Sequence, residues 1–397
     1  MNIVALLQTL SPRLSKTDIR RMHLIVQAML SMTGRVTMLG ISRWSGKGGS
    51  YRTIQRFFKT KIAWLDVFFL FFKEHLFNIQ SEYFMVGDES VITKSGKQTF
   101  GLDRFYSGLL QKVVKSIAIF SLSIVSVEER HSYPLQVEQV LRTDTEKEAA
   151  KKKNAKKTKK KNKPEKKKPG RPKGSKNREK SQVSLTPELE RIQKMIKKQL
   201  LLLKGLVKVR HIALDGHFGH NNALQMVLRC SLDLVSKLRS DAALYFRYEG
   251  QQKARGPKRK YGSKIDYTNI PAKYLVSEKT EKGIQTKIYQ SKMLHKSFAQ
   301  MLNVVIITKT HLKTGRFAHV ILFSSDLALS HEKIIEYYSL RFQIEFNFRD
   351  AKQFWGLEDF MNIKERQLTN ALNLSLFMTN LSQVLLREFP FGSGILN

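Results

Sequence analysis

Apolar residues in the first part of the chain recur at helical spacing. Between residues 15 and 33 they fall at Ile19, Met22, Ile25, Val26 and Met29, the rhythm of an amphipathic helix. Ser15-Lys-Thr-Asp18 opens it like a capping box. Two shorter helices are predicted over 36–44 and 51–59, split by Ser45-Gly-Lys-Gly-Gly-Ser50, in the outline of a helix-turn-helix. In the second, Ile54, Phe57 and Phe58 pack inward. Arg52, Gln55, Arg56 and Lys59 are then left to face a DNA groove or its phosphates, although a three-helix bundle with a basic surface carries the same pattern.

From residue 82 the pattern turns to strands. Runs at 83–88, 113–127 and 133–141 predict a three-stranded meander. A helix over 186–204, a strand over 207–215, a helix over 221–229 and strands at 234–239, 303–308 and 317–324 follow. A largely apolar helix over 365–388 closes the series, and the class is α/β. Two of the strands end in acids, Asp88 and Asp215, the position where open α/β sheets present chemistry. Asp also ends strands as an ordinary turn or cap residue.

One long helix is expected over 331–355, capped by Ser330 and free of Gly and Pro until Gly356. At about 100° per residue, Arg341, Glu345, Arg349 and Lys352 all fall within about 60° of Tyr338, in one polar stripe. Apolar residues flank it on both sides, with Phe342 and Phe346 on one. Glu336, Gln343, Asn347 and Asp350 take the wet face. A carboxylate between bases at the edge of a buried face is costly to keep and reads as a site; a solvated ladder of ion pairs gives the same spacing.

Charge changes the picture. The 397 residues carry 70 Lys+Arg against 33 Asp+Glu, a net +37. Residues 151–180 alone hold 15 lysines and two arginines against two glutamates, and the rest of the chain is still strongly basic. A polyanion is the expected partner, nucleic acid first. The lysine-rich stretch 146–182 has almost nothing apolar to bury and reads as a disordered insert. Inside it, Lys168-Pro-Gly-Arg171-Pro resembles an AT-hook, whose Arg171 enters a narrow minor groove; a solvated tail with unspecific phosphate affinity is the plainer reading. Between 240 and 290, Tyr245, Phe246 and Tyr248 are interleaved with cations that include Lys258, Arg259 and Lys260, a base-stacking, phosphate-holding texture that a small β insert filling its own core shares.

Cys230 is the only cysteine, so disulfides within the chain and cysteine-based zinc fingers are excluded. The apolar run at 62–72 is short and broken by Asp66, too short to span a bilayer. No secretory signal is apparent, and a cytoplasmic, nucleoid-associated protein without membrane contact is expected. Three acids without a histidine cluster suit magnesium or manganese rather than zinc. Two such ions would support phosphodiester chemistry.

Here the residues become specific. The spacing of Tyr338, Arg341, Glu345 and Lys352 resembles the Y-R-E-K signature of DDE transposases of bacterial insertion sequences, in the cut-and-paste branch. Gly87-Asp88-Glu-Ser-Val-Ile-Thr-Lys-Ser-Gly96 is similar to that family's first-aspartate block and Leu214-Asp215-Gly-His-Phe-Gly219 to its second. The resemblance implies a ribonuclease-H-like mixed sheet with flanking helices and a mostly β insertion, behind an N-terminal all-α, helix-turn-helix-like domain. It implies Asp88, Asp215 and Glu345 as a catalytic triad holding two magnesium or manganese ions, with Tyr338, Arg341 and Lys352 on phosphates; Arg349, on the same stripe, joins them as a DNA contact. It implies nicking at the element's end, a hairpin, strand transfer into target DNA, and a homodimer on double-stranded DNA. An aromatic of the insertion can hold a flipped base, with Tyr245, Phe246 and Tyr248 as candidates.

The expected division is a helical DNA-binding domain at 1–80, a first part of the catalytic core at 81–145, the lysine-rich insert at 146–182, core again at 183–239, the β-rich insertion at 240–300 and the end of the core at 301–390. A basic insert ahead of the second aspartate departs from the family pattern. A DNA-binding protein descended from such an enzyme, and a nucleoid or RNA-binding protein with structural acids, are the competing readings.

Overall fold

The computed structural model describes residues 3–108, 110–144, 146–148 and 179–388. Most of the lysine-rich insert, including Arg171 and its AT-hook-like motif, lies outside the described residues. Among the described residues, those in Met1–Val140, Met195–Asp215 and Glu336–Asn397 form one compact unit, and those in Leu141–Lys194 and Gly216–Ile335 form a second.

The first unit is built on strands β1 (Tyr83–Thr93), β2 (Asp103–Ser107), β3 (Lys112–Ser126), β4 (His131–Val140) and β5 (His211–Leu214). β3 is central: it pairs antiparallel with β1 on one side and, on the other, with β2 along its first residues and β4 along the rest. From Ser116 to Ser126 every residue of β3 is buried, which is why the run holds only apolar residues and small serines rather than alternating with charged ones. β5 pairs parallel with β1. β2 adds a strand to the expected meander.

The helices Trp64–His75, Gln343–Gln353 and Glu365–Glu388 pack against β4. Phe377 of the last helix sits among Trp64, Phe68 and Phe71 of the first, with ring centroids 4.8–6.3 Å apart. The N-terminal helices Lys16–Ser31, Met38–Trp44 and Tyr51–Lys59 pack on one another. Side chains stop the fraying of their first turns: Ser15 accepts from the Asp18 N–H, Thr37 from Gly40 and Ser50 from Thr53. Ile54, Phe57 and Phe58 are buried while Arg52, Arg56 and Lys59 are exposed.

The second unit is an antiparallel sheet in which β6 (Asp233–Leu238), β12 (Phe317–Ser324), β11 (Leu302–His311) and β10 (Ile284–His295) are neighbours in that order. The free side of β10 takes β9 (Leu275–Glu281) along its first part and β7 (Leu244–Arg247) at its end, and β7 pairs with β8 (Tyr261–Lys264). Among the described residues no helix is long and apolar enough to cross a membrane.

Three expectations are corrected. The helix over 331–355 is two helices, His331–Leu340 and Gln343–Gln353. The Phe342 N–H reaches back to Ser339 and Glu345 to Phe342, each only three residues away, at 3.1 and 3.0 Å. The chain tightens for one turn at Arg341 and Phe342, so Phe342 is exposed instead of flanking the stripe. Second, Asn347 is buried, not wet: its Nδ2 donates to Ser132 Oγ of β4 at 3.0 Å, because the helix lies deep enough on β4 to need a polar partner there. Third, Asp88 does not end its strand. β1 runs on to Thr93 because the long β3 keeps pairing with it.

Candidate functional site

What ends near Asp88 is the neighbouring strand. In the parallel ladder Met85 lies beside Ile212, Val86 beside Ala213 and Gly87 beside Leu214, where β5 stops. Asp88 and Asp215 each follow that last pair by one residue, so the register carries two acids to adjacent positions on strands about 4.8 Å apart. Gly87 is required here. A Cβ on it would come within 2.8 Å of the Phe120 ring, itself buried on β3. A glycine interrupting an apolar strand is the signal of such a close approach. Ser121, buried and without a hydrogen-bond partner for its Oγ, is the residue opposite Asp88 on β3; only the register assigns it to the site.

Arg341 joins the third acid to the first. Its Nη1 lies 3.4 Å from Asp88 Oδ2 and its Nη2 3.2 Å from Glu345 Oε1. Arg341 is nearly fully buried and its Nε has no partner. The Asp88 carboxyl is pushed up to about 6, chiefly by burial and further by the charges of Asp215 and Glu345, against the pull of the Glu89 N–H and of Arg341. Burying an acid among acids is unfavourable unless a cation completes the site. The three carboxylates therefore form one electrostatic cluster, crossed by one guanidinium.

Tyr338 covers the cluster from the preceding helix, its ring centroid 5.6 Å from the Arg341 guanidinium. Burial raises its hydroxyl pKa; Arg341 opposes this, and Asp215 and Asp88 add to it. Lys352 donates to the Val91 carbonyl of β1 at 3.1 Å and pairs with Glu358 at 3.2 Å, three residues along the strand from Asp88. Arg349 does not join them: it is exposed, pairs with Asp350 and stacks over Phe346. Tyr337 hydrogen bonds to Glu82 and stacks on Phe84 at 4.4 Å, fixing the helix against β1.

The remaining candidates lie apart. Arg52 and Arg56 are exposed on Tyr51–Lys59 in the first unit. In the second unit, Tyr245 meets Tyr261 edge-on beneath the Lys296 ammonium, Phe246 stacks on Tyr274 at 4.8 Å, and Tyr248 carries the Arg259 guanidinium at 4.6 Å. Phe246, Tyr248 and Tyr274 line a cavity of about 670 Å³, and Lys258, Arg259 and Lys260 an adjoining one of about 450 Å³.

A mixed α/β sheet with flanking helices that carries acids on neighbouring strands and on a following helix defines a ribonuclease-H-like nuclease fold. The chain belongs to the DDE superfamily endonuclease family, whose model matches residues 9–295. That match includes Asp88 and Asp215 and stops before Glu345. A comparison with curated proteins finds no match.

Proposed function

We propose that this endonuclease is a transposase of the Y-R-E-K kind, which binds the ends of an insertion sequence and cuts and rejoins DNA there. The observation that carries the reading is Arg341, held between Asp88 and Glu345 while the parallel register puts Asp215 beside Asp88. A surface ladder of ion pairs would not be buried or tied to a strand 253 residues away in sequence.

The residues fit a divalent cation. Asp88, Asp215 and Glu345 offer hard oxygen ligands, and the raised Asp88 carboxyl marks a cluster short of positive charge. Magnesium or manganese, two ions by resemblance, would supply a nucleophilic oxygen and charge stabilisation at the scissile phosphate. Arg341 is placed to exchange a carboxylate for a phosphate oxygen, for which its planar fork is suited. Lys352 and Tyr338 hold the strand on either side of the acids, and the aromatic cavities of the second unit take unpaired bases, with Tyr248 favoured because a displaceable cation covers its ring. The hairpin route, strand transfer, a homodimer on the DNA and a nucleoid-associated, cytoplasmic location complete the proposal. The alternative is a DNA-binding descendant that no longer cuts.

A plasmid carrying the element's terminal repeats tests it. Wild type is expected to nick it in magnesium or manganese, and Glu345→Gln to bind equally but cut at least about 10³-fold more slowly. A wild-type chain that binds and never cuts leaves the non-catalytic alternative; equal cutting by Glu345→Gln refutes the site.

A further inference from the structure

Away from the acids, within the first unit, the turn between the helices Tyr51–Lys59 and Trp64–His75 faces the first turn of Glu365–Glu388 across a cavity of about 820 Å³. Lys59, Lys61, Lys364 and Arg366 stand around it, with Glu365 the one acid on its wall. All four cations are exposed, and none forms an ion pair among the described residues. Other exposed cations of this unit do pair with acids, as Arg13 does with Asp66 and Arg35 with Asp359.

The frame is rigid. Asn370, almost fully buried in the cavity floor, donates its amide to the carbonyls of Phe58 and Thr60, each at 2.8 Å, and accepts from the Trp64 indole at 2.8 Å. One side chain therefore locks the turn that carries Lys59 and Lys61 to the helix whose start carries Lys364 and Arg366. The backbone positions that carry the cations are set before anything binds, which removes part of the ordering cost of binding.

We propose that this cavity grips the sugar–phosphate backbone of double-stranded DNA as a second holding point on the unit that carries the acids. The inference rests on the DNA-directed reading above and needs none of the acids. The cavity, at about 820 Å³, is far larger than one phosphate ion requires, and its four cations come from two separate segments of the chain, as suits a polyanion with evenly repeated charge. Lysines act there as point charges and Arg366 as a fork. Of the four cations only Lys59 is among the residues expected to face a groove, and Lys61, Lys364 and Arg366 lie off that helix, so the contact would follow the backbone and carry no sequence preference.

The test uses full-length Glu345→Gln and a fluorescent duplex, with binding measured by anisotropy over a potassium chloride series. Adding Lys61→Glu and Arg366→Glu is expected to weaken binding about tenfold or more and to make the log–log salt slope shallower by about two. Lys61→Gln with Arg366→Gln should lower the slope by a similar amount with a smaller loss, and carries the test if the glutamate pair melts early. Affinity and slope equal to those of the parent overturn the proposal, as does a loss seen with single-stranded RNA and not with duplex DNA. Cutting is scored separately with the native Glu345. Loss of duplex binding in a chain that never cuts would sink the nuclease reading and leave this contact standing.

Discussion

At the residue scale the site is a balance of unfavourable terms. Asp88 is held charged among acids although burial raises its carboxyl to about 6, well above the ordinary 3.8. Between about pH 4 and pH 6 the folded chain then keeps a proton that the unfolded chain releases. Stability from this group is greatest below about pH 4, falls as pH rises to about 6, and is level above it. Asp88→Asn lacks the term. In EDTA, urea denaturation should show wild type losing on the order of 1–3 kcal/mol relative to Asp88→Asn across that window. A pH-independent difference between the two proteins would mean that Asp88 is not strained. The same proton competes with a divalent ion, so metal affinity is expected to fall below about pH 6.

At the element scale, two junctions do most of the positioning. One is the tight turn at Arg341 and Phe342, which swings the guanidinium onto β1 while Tyr337 anchors the preceding helix to Glu82 and Phe84. The other is Asn370, which satisfies carbonyls at the end of Tyr51–Lys59 that no helical N–H can reach. Asn370→Ala would leave those carbonyls and the Trp64 indole unpaired in a buried place. A loss of about 2–4 kcal/mol in thermal or urea denaturation is expected; a change under about 0.5 kcal/mol would show that water replaces the amide. Many helix bounds were legible here, although Trp64–His75 was not expected as a helix. Tyr51–Lys59 and Glu365–Glu388 follow from their apolar residues. The break at Arg341 was not, because no Gly or Pro marks it and its cause is a contact with a distant strand.

At the scale of the whole molecule, the net charge of +37 is expected to give an unspecific, salt-sensitive attraction to DNA. The lysine-rich residues outside the described ones carry a large share of it. Deleting residues 149–178 is expected to weaken binding to random duplex and flatten its salt dependence, while nicking of bound substrate at the acids is retained. Loss of nicking at saturating DNA would show that the segment takes part in the chemistry. The fold class and much of the succession of helices and strands were legible from periodicity. The grouping of β7 to β12 with residues 141–194 in one unit was not, since strand pairing joins segments by contacts that local pattern does not encode.

The amino-acid sequence by itself determined the α/β class, many of the helices and strands, and a strong positive charge suited to a polyanion. Spacing, caps and charge act over a few residues and survive in any fold. Only the tertiary structure decided that β5 stops beside Gly87, so that two aspartates from distant segments become neighbours, and that Arg341 leaves the helical stripe to lie between Asp88 and Glu345. Those facts depend on register and on burial against β3, which come into being only when the sheet closes.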